Sequence, residues 1–506
     1  MSSEKEDLGP EDTSNSGGGP RKRSPRRVVS TETTEPLESE RNGKIPRSSD
    51  PKDSEKPAEQ VQESSGKQRR RAPASQSKEA DSESENASPA TDSDGADDSD
   101  SGASGRGRGR GRGRDRRRGR GSFTDDGEPE ISDDDVLIPI GGILDILDNY
   151  AFVRTQGYLP GPTDVYVSLG QVKKYSLRKG DAVIGAIRQP REGENQGRQK
   201  YNALVSVDTI NGQSVDEASG RPEFPALTAV YPTQRISMET SRDELSGRLA
   251  DIFAPIGKGQ RGVIGGASGS GKSHMLSSIA SAVAQNAPDS HLMVVLVDEQ
   301  PEAITEMQRG IKGEVVSATF DRTADDNTTI AELAVERSKR LVELGHDVVV
   351  LIDSLNRLAR AYQQSVGSNS RGPVSEFAWL YPVKRLFGAA RKIENGGSLT
   401  IIGTASTDSG IALDDLVYRE LAASATMNLN LSLEAALSRL FPAVDIANSR
   451  TRRDELLLSP AELESVASIR QDSRDADPMG ALRRTIDQIT TSASNSDFFD
   501  SIAKKN

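Results

Sequence analysis

The sequence predicts a small all-β barrel of the OB or cold-shock kind followed by an α/β domain built on a parallel sheet, both carried behind a long disordered N-terminal extension. Three observations predict this. No Phe, Tyr or Trp occurs before Phe123. Short strand-like runs divided by Gly, Pro and Asn fill the stretch from about 135 to 211. From about 248 to 459, apolar runs alternate with helix-like stretches.

Residues 1–134 are crowded with Ser, Glu, Asp, Pro, Lys and Arg, so this stretch has too little apolar surface to offset its chain entropy. It is blocked by charge: residues 67–71 are basic, 80–100 acidic and serine-rich, and 105–121 an Arg-Gly tract. Arg-Gly tracts bind nucleic acid through phosphate contacts and guanidinium stacking. A solubilising linker is the alternative, and the use of arginine rather than lysine favours binding. The net charge of −12 therefore averages segments of opposite sign. The absence of cysteine excludes disulfides, thiolate metal sites and cysteine nucleophiles, and His274, His291 and His346 are too few for a histidine-rich metal centre. No apolar run reaches bilayer length and residues 1–20 lack the core of a signal peptide, so a cytoplasmic protein with no membrane contact is expected.

The barrel, placed at 135–211, is expected to use strands at 142–147, 151–154, 164–167, 181–188 and 203–207. Alternation along a strand puts Tyr150, Phe152 and Arg154 on one face, and Tyr166 and Tyr201 add rings beside charged residues. Rings flanked by basic groups make a stacking platform for single-stranded bases; filling the barrel core is the alternative use for them. A polar linker and domain entry follow at 212–247.

In the second domain, 248–506, the organising stretch is Gly266-Ala267-Ser268-Gly269-Ser270-Gly271-Lys272-Ser273. A glycine-rich turn of this spacing points successive N–H groups at phosphate oxygens, with Gly266, Gly269 and Gly271 giving the backbone its freedom. Lys272 reaches the β and γ phosphates of ATP and the Ser273 hydroxyl ligates Mg²⁺. An apolar run precedes the loop and an alanine-rich helix follows, whose positive end faces the phosphates. Three further apolar runs end in polar residues: Asp298-Glu299, Asp353-Ser354 and Gly403-Thr404. In such sheets the strand carboxyl ends converge on the ligand. Asp353 is then the metal-side carboxylate and Glu299 the candidate for orienting the attacking water, with Asp298 and Glu302 as rivals. Charge developing on the γ-phosphoryl group calls for an arginine, often from a neighbouring subunit, and Arg439, Arg450, Arg452 and Arg453 are the candidates.

Long stretches resemble the bacterial Rho family of transcription termination factors. They include Ala254-Pro255-Ile256-Gly257-Lys258-Gly259-Gln260-Arg261-Gly262, Thr305-Glu306-Met307-Gln308-Arg309, Arg357-Leu358-Ala359-Arg360-Ala361-Tyr362 and Gly396-Gly397-Ser398-Leu399-Thr400-Ile401-Ile402. The resemblance runs from about residue 141 to 499. It implies a RecA-like motor domain that hydrolyses ATP with Lys272, Ser273, Asp353 and Glu299. It also implies that Phe441 stacks on adenine, that His274 lies among the nucleotide-binding residues, and that Arg452 and Arg439 cross a subunit interface. Tyr150, Phe152, Arg154, Asp164, Tyr166 and Tyr201 match the primary RNA site, and Arg371 falls in the first channel loop. The family's activity is that of a homohexameric 5′-to-3′ RNA/DNA helicase that binds nascent single-stranded RNA and releases RNA polymerase from its elongation complex. Several positions depart from the family. His274 stands where methionine is usual, Gln300 where arginine is usual, and Ala412 where a lysine is expected to touch RNA. The alternative reading is a ring that binds RNA and ATP but translocates weakly.

Overall fold

The computed structural model describes residues 136–189, 201–369, 377–475 and 477–504. The N-terminal extension with its Arg-Gly tract, and Arg371, lie outside the described residues.

Strands β1 (Leu137–Ile146), β2 (Ala151–Arg154), β3 (Val165–Val167), β4 (Ala182–Arg188) and β5 (Asn202–Ile210) close into a barrel in the order β1–β2–β3–β5–β4. β3 and β5 pair in parallel and the other neighbours are antiparallel. Two strands are longer than expected, β1 at its start and β5 at its end. The barrel also contains a helix that periodicity did not reveal, α1 (Leu169–Lys174). It is too short to show a period, and a capping box between Ser168 and Gln171 starts it. Gln171 Nε2 then donates to the Leu204 carbonyl at 2.8 Å, fixing the helix to β5. The barrel core is aliphatic: Leu144, Ala151, Val153, Val183, Leu204 and Ile210 have no exposed surface. With Ala151 and Val153 turned inward, Phe152 is turned outward by the pleat.

The second domain carries β6 (Arg261–Gly266), α2 (Lys272–Asn286), β7 (His291–Glu299), β8 (Glu314–Thr319), α3 (Ala324–Glu343), β9 (Asp347–Asp353), α4 (Leu355–Asn369), α5 (Leu380–Phe387), β10 (Ser398–Ser406), α6 (Ala412–Ser424), β11 (Met427–Leu431) and β12 (Arg450–Thr451). The sheet runs β8–β7–β9–β10–β6–β11–β12, parallel except for β12 against β11. Helices cover both faces, which is why the central strands read as unbroken apolar runs. Three C-terminal helices, Pro460–Asp475, Pro478–Thr491 and Asn495–Ala503, complete one face. Among the described residues no helix is long and apolar enough to cross a membrane.

The barrel is seated on α3. Gly180, with φ of +88°, lies so close that a Cβ there would stand 2.5 Å from the Arg337 nitrogen. Around it, Arg221 pairs with Asp181 at 2.5 Å and Arg178 with Glu343 at 3.0 Å. Arg337 Nη1 donates to Asn211 Oδ1 at 2.6 Å, and Tyr158 Oη donates to Glu314 Oε1 on β8 at 2.6 Å. A side chain at Gly180 meets both left-handed backbone strain, about 1–2 kcal/mol, and a backbone clash. Gly180→Ala is therefore expected to separate barrel and motor into two calorimetric unfolding transitions. A single transition at the parent temperature would contradict this seating.

Candidate nucleotide site and nucleic-acid face

The phosphate loop spans the gap between β6 and α2. Gly269 and Gly271 adopt φ of +86° and +99°, so the loop curls back to let α2 begin at Lys272. The Lys272 ammonium lies under the loop, donating to the Gly266 and Ala267 carbonyls at 2.9 Å each. Burial lowers its pKa, against the opposing pull of Asp353. A phosphate arriving in the loop offers this partly desolvated cation a stronger acceptor than two carbonyls.

In front of the loop is a cavity of about 500 Å³ lined by Lys272, Ser273, Asp353, Asn356, Arg357 and Arg360 among others. Asp353 ends β9 and is only 5% exposed, and its Oδ1 accepts from Thr404 Oγ1 of β10 at 2.7 Å. Asn356 Oδ1 accepts from the Ser406 nitrogen at 2.8 Å, so two neighbouring strand ends brace the same corner. Among the described residues no cluster of three or more His, Cys, Asp or Glu gathers that could hold a metal. A hydroxyl and one carboxylate beside a phosphate loop nevertheless fit Mg²⁺, which is commonly held by one or two carboxylates together with substrate phosphates and water.

At the end of β7 the register against β8 slips between Val297 and Glu299, and Asp298 takes φ of +54°. This bulge re-aims the strand end. Of the three carboxylates weighed from the sequence, Glu299 is the one that meets the cavity wall, through an ion pair with Arg357. Glu299 does not line the cavity itself; Arg357 does. Sequence reasoning missed the role of Arg357, although its place in the first turn of the helix after Asp353 was a usable signal.

A second cavity of about 260 Å³ adjoins the first, sharing Gly271 and His274 and adding Met275, Leu431 and Phe441. Phe441 is 48% exposed, its ring available for stacking. His274 thus stands where a ligand crossing from the phosphate cavity to the apolar one must pass. Arg439 and Arg452 line neither cavity. Both are exposed, and Arg452 follows β12 at the sheet edge, held by a backbone bond to Thr426 at 2.7 Å. Of the other candidates, Arg453 pairs with Glu455, and Arg450 rims a larger cavity of about 890 Å³. The chain's own arginines 439 and 452 are therefore not part of its own phosphate cavity.

On the barrel, Phe152 is the hub of a ring cluster, with centroids of Tyr150, Tyr166 and Tyr201 at 5.6, 5.9 and 4.9 Å. All the contacts are edge-on, and Tyr150 is 45% exposed at the margin of the cluster. The core alternative for these rings does not apply, since the barrel interior is aliphatic. Arg154, expected on the same strand face as Tyr150 and Phe152, is buried, as is Asp164. Arg154 is 5% exposed and is gripped by Asp145 at 2.5 Å and Asp164 at 2.7 Å. Burial alone would lower its pKa, but the hydrogen bonds it donates to the two carboxylates, with their charges, more than offset this and raise it. Its guanidinium lies 5.5 Å from the Phe152 centroid, so the charge supports the platform from beneath. The partner Asp145, on a different strand, carried no sequence signal for this role.

The comparisons agree with this two-part arrangement. The profile described as Rho termination factor, RNA-binding domain, matches residues 140–216, and the ATP synthase alpha/beta family, nucleotide-binding domain, matches 247–451. Transcription termination factor Rho of Streptomyces lividans is 52% identical over 74% of this chain, a match covering 53% of that relative. The Mycobacterium tuberculosis protein of the same name is 50% identical over 75% of this chain and 64% of its own length. That of Pseudomonas aeruginosa is 44% identical over 72% of this chain and 88% of its own. Among solved structures, a type III secretion system ATPase overlaps 56% of this chain and 88% of its own at 21% identity and a TM-score of 0.45. The chain thus spans between about half and two-thirds of the Streptomyces and Mycobacterium relatives. With an OB-like RNA-binding barrel joined to a RecA-type nucleotide-binding domain, and with most of the Pseudomonas protein's length matched, the chain belongs to the Rho family of transcription termination factors.

Proposed function

We propose that this protein is an RNA-stimulated ATPase and 5′-to-3′ RNA/DNA helicase. It binds nascent single-stranded RNA on the barrel and terminates transcription by withdrawing the transcript from the RNA polymerase elongation complex. It acts as a homohexamer in the cytoplasm. The observation that carries the reading is the pairing of an outward-facing ring cluster on the barrel with a phosphate cavity and an adjoining stacking cavity in the motor.

In this reading ATP lies across the two cavities, with its base against Phe441 and its phosphates in the loop. Lys272 leaves its carbonyl partners for the β and γ phosphates, and Ser273 and Asp353 hold Mg²⁺, which neutralises charge on the phosphates. Glu299, released from Arg357, accepts a hydrogen bond from the attacking water, and Arg357 is freed to face the γ-phosphate. Arg452 and Arg439, exposed and outside the lining of both cavities, serve the site of the next subunit. Each site is then complete only at an interface, which ties hydrolysis to the ring.

A second reading, a ring that binds RNA and ATP but translocates poorly, is favoured by Ala412. It begins α6 with an exposed methyl group where a cation would touch RNA.

Three outcomes test the proposal. RNA is expected to raise ATP turnover of the wild-type protein, Lys272→Ala to lower it by about 10²–10³-fold, the worth of a preorganised electrostatic contact, and Glu299→Gln by about 10²–10⁴-fold, the usual worth of a general acid–base group. Unstimulated turnover that both variants retain would remove the reading. Stimulated turnover without unwinding of a tailed RNA–DNA hybrid would select the second. Next, Lys272→Ala and Arg452→Ala, each inactive alone, are expected to recover turnover when mixed, because mixed rings contain sites with both groups intact. A mixture as inactive as its parts would place Arg452 in its own subunit's site or in no site. Finally, Phe152→Ala is expected to weaken binding of single-stranded RNA by about 1–3 kcal/mol, the worth of a stacked base, read by fluorescence anisotropy. Unchanged affinity in a folded variant would show that Phe152 does not stack on RNA.

A further inference from the structure

Besides the buried contacts that seat the barrel, a chain of polar contacts, partly exposed only at Lys179 and Glu332, runs from beneath the ring cluster to the helix that begins at the nucleotide cavity. Arg154, under Phe152, holds Asp145 through Oδ2. The other oxygen, Asp145 Oδ1, is buried and accepts no hydrogen bond. Its ion partner is Lys179 Nζ at 3.2 Å, and the same ammonium stands 3.8 Å from Glu332 Oε2 on α3. Glu332 Oε1 in turn accepts from Tyr362 Oη at 2.8 Å, with Arg385 of α5 at 4.0 Å. Tyr362 belongs to α4, whose first turn follows Asp353 and carries Arg357, the partner of Glu299. Burial, reinforced by the Glu332 charge, raises the Tyr362 pKa, so the phenol stays a donor.

We infer that Lys179, shared between Asp145 and Glu332, transmits occupancy of the barrel face to α4, with Glu332 and Tyr362 acting as positioning residues for Arg357 and Glu299. The inference rests on the RNA-stimulated ATPase reading above and names the regulation of that site. Two features support a coupling role over an anchoring one. The Lys179–Glu332 pair is partly exposed and long, a geometry that adds little to stability. The anchoring is already supplied by the buried Arg221–Asp181 and Arg178–Glu343 pairs. The ammonium also has two discrete alternatives. A nucleic-acid phosphate near Arg154, or a base pressed on Phe152, weakens the hold of Arg154 on Asp145. A buried carboxylate that loses one cation draws more strongly on the other. Lys179 then moves toward Asp145, and Glu332 is left to Tyr362 and Arg385. The two sites bias one bistable element, which is what a physical coupling requires.

The test uses the full-length protein, single-stranded RNA and ATP, with Lys179→Met, Tyr362→Phe, the double variant and Lys179→Arg. Each of the first two is expected to lower RNA-stimulated turnover by about five-fold or more, the lower bound of typical couplings. RNA affinity of the barrel and turnover without RNA should stay within about two-fold, the scatter expected of independent sites. The double variant should lose no more than the worse single one, and Lys179→Arg should keep the stimulation. Stimulation retained in both single variants, losses that multiply in the double variant, or turnover without RNA falling in parallel would each overturn the coupling. Wild-type turnover that RNA does not raise would overturn the functional reading itself, and that is read before any substitution is made.

Discussion

The relation between the RNA face and the nucleotide site depends on a buried knot of charge where the barrel meets α3. Glu343, with no exposed side-chain surface, receives Arg178 and Arg340 at 3.0 and 3.1 Å and the Phe224 backbone nitrogen at 2.8 Å. Even so, burial raises the Glu343 pKa more than these partners lower it. Arg221, between Asp181 and Glu343, leaves Nε and Nη1 without hydrogen bonds. A cluster that does not recover its own desolvation is a poor source of stability, yet breaking one side of it strands a buried charge at a cost of about 3–5 kcal/mol. Its physical effect is registry: any other seating of the barrel leaves these charges unpaired. Gly180 makes the same demand sterically, since the turn fits α3 only without a Cβ.

Within the motor, order comes from strand ends rather than from the loop alone. Asp353 is held by Thr404 of the adjacent strand, and Asn356 by the backbone of Ser406. The phosphate loop therefore faces a wall whose carboxylate and amide are fixed in position by β10. Glu299 is arranged differently. Its bulged strand end points it to Arg357, and the ion pair keeps both groups occupied until a ligand competes for the guanidinium. Arg439 and Arg452 line neither cavity, so the positive charge facing the phosphate cavity comes from Lys272, Arg357 and Arg360.

Much of this was legible in the sequence because it is local. The barrel strands follow from alternation and turn residues, and the phosphate loop from its glycine spacing. The strands ending in Glu299 and Asp353 follow from apolar runs long enough to be buried on both faces. What stayed hidden is non-local. Arg154 reads as a basic residue beside aromatics, and only the fold shows Asp145 and Asp164, from two other segments, closing over it. Glu332 and Tyr362 are unremarkable helix positions until α3 and α4 pack together. Gly180 looks like an ordinary turn glycine, and the reason no other residue fits is a helix more than a hundred and fifty positions later. Of the cavity linings, the phosphate loop and Asp353 were named from the sequence and Phe441 from the family resemblance, whereas Asn356, Arg357 and Arg360 were not, and that the two spaces adjoin at His274 is set by the pitch of α2.

The strengths of these contacts divide the molecule's tasks. Deeply buried pairs fix geometry because exchanging their partners is costly. Half-exposed pairs such as Lys179–Glu332, at 26% and 32% side-chain exposure, exchange at little cost because water competes for both ends. Both kinds lie within a few residues of each other. Residues 178 to 181 supply them: Arg178 and Asp181 enter the buried knot, Gly180 sets the close approach, and Lys179 is left at the surface between two carboxylates. One short turn therefore combines a rigid joint with a contact that exchanges at little cost, and in the proposed coupling the rigid part is what lets a displacement of the lysine reach α3 instead of dissipating in a loose interface.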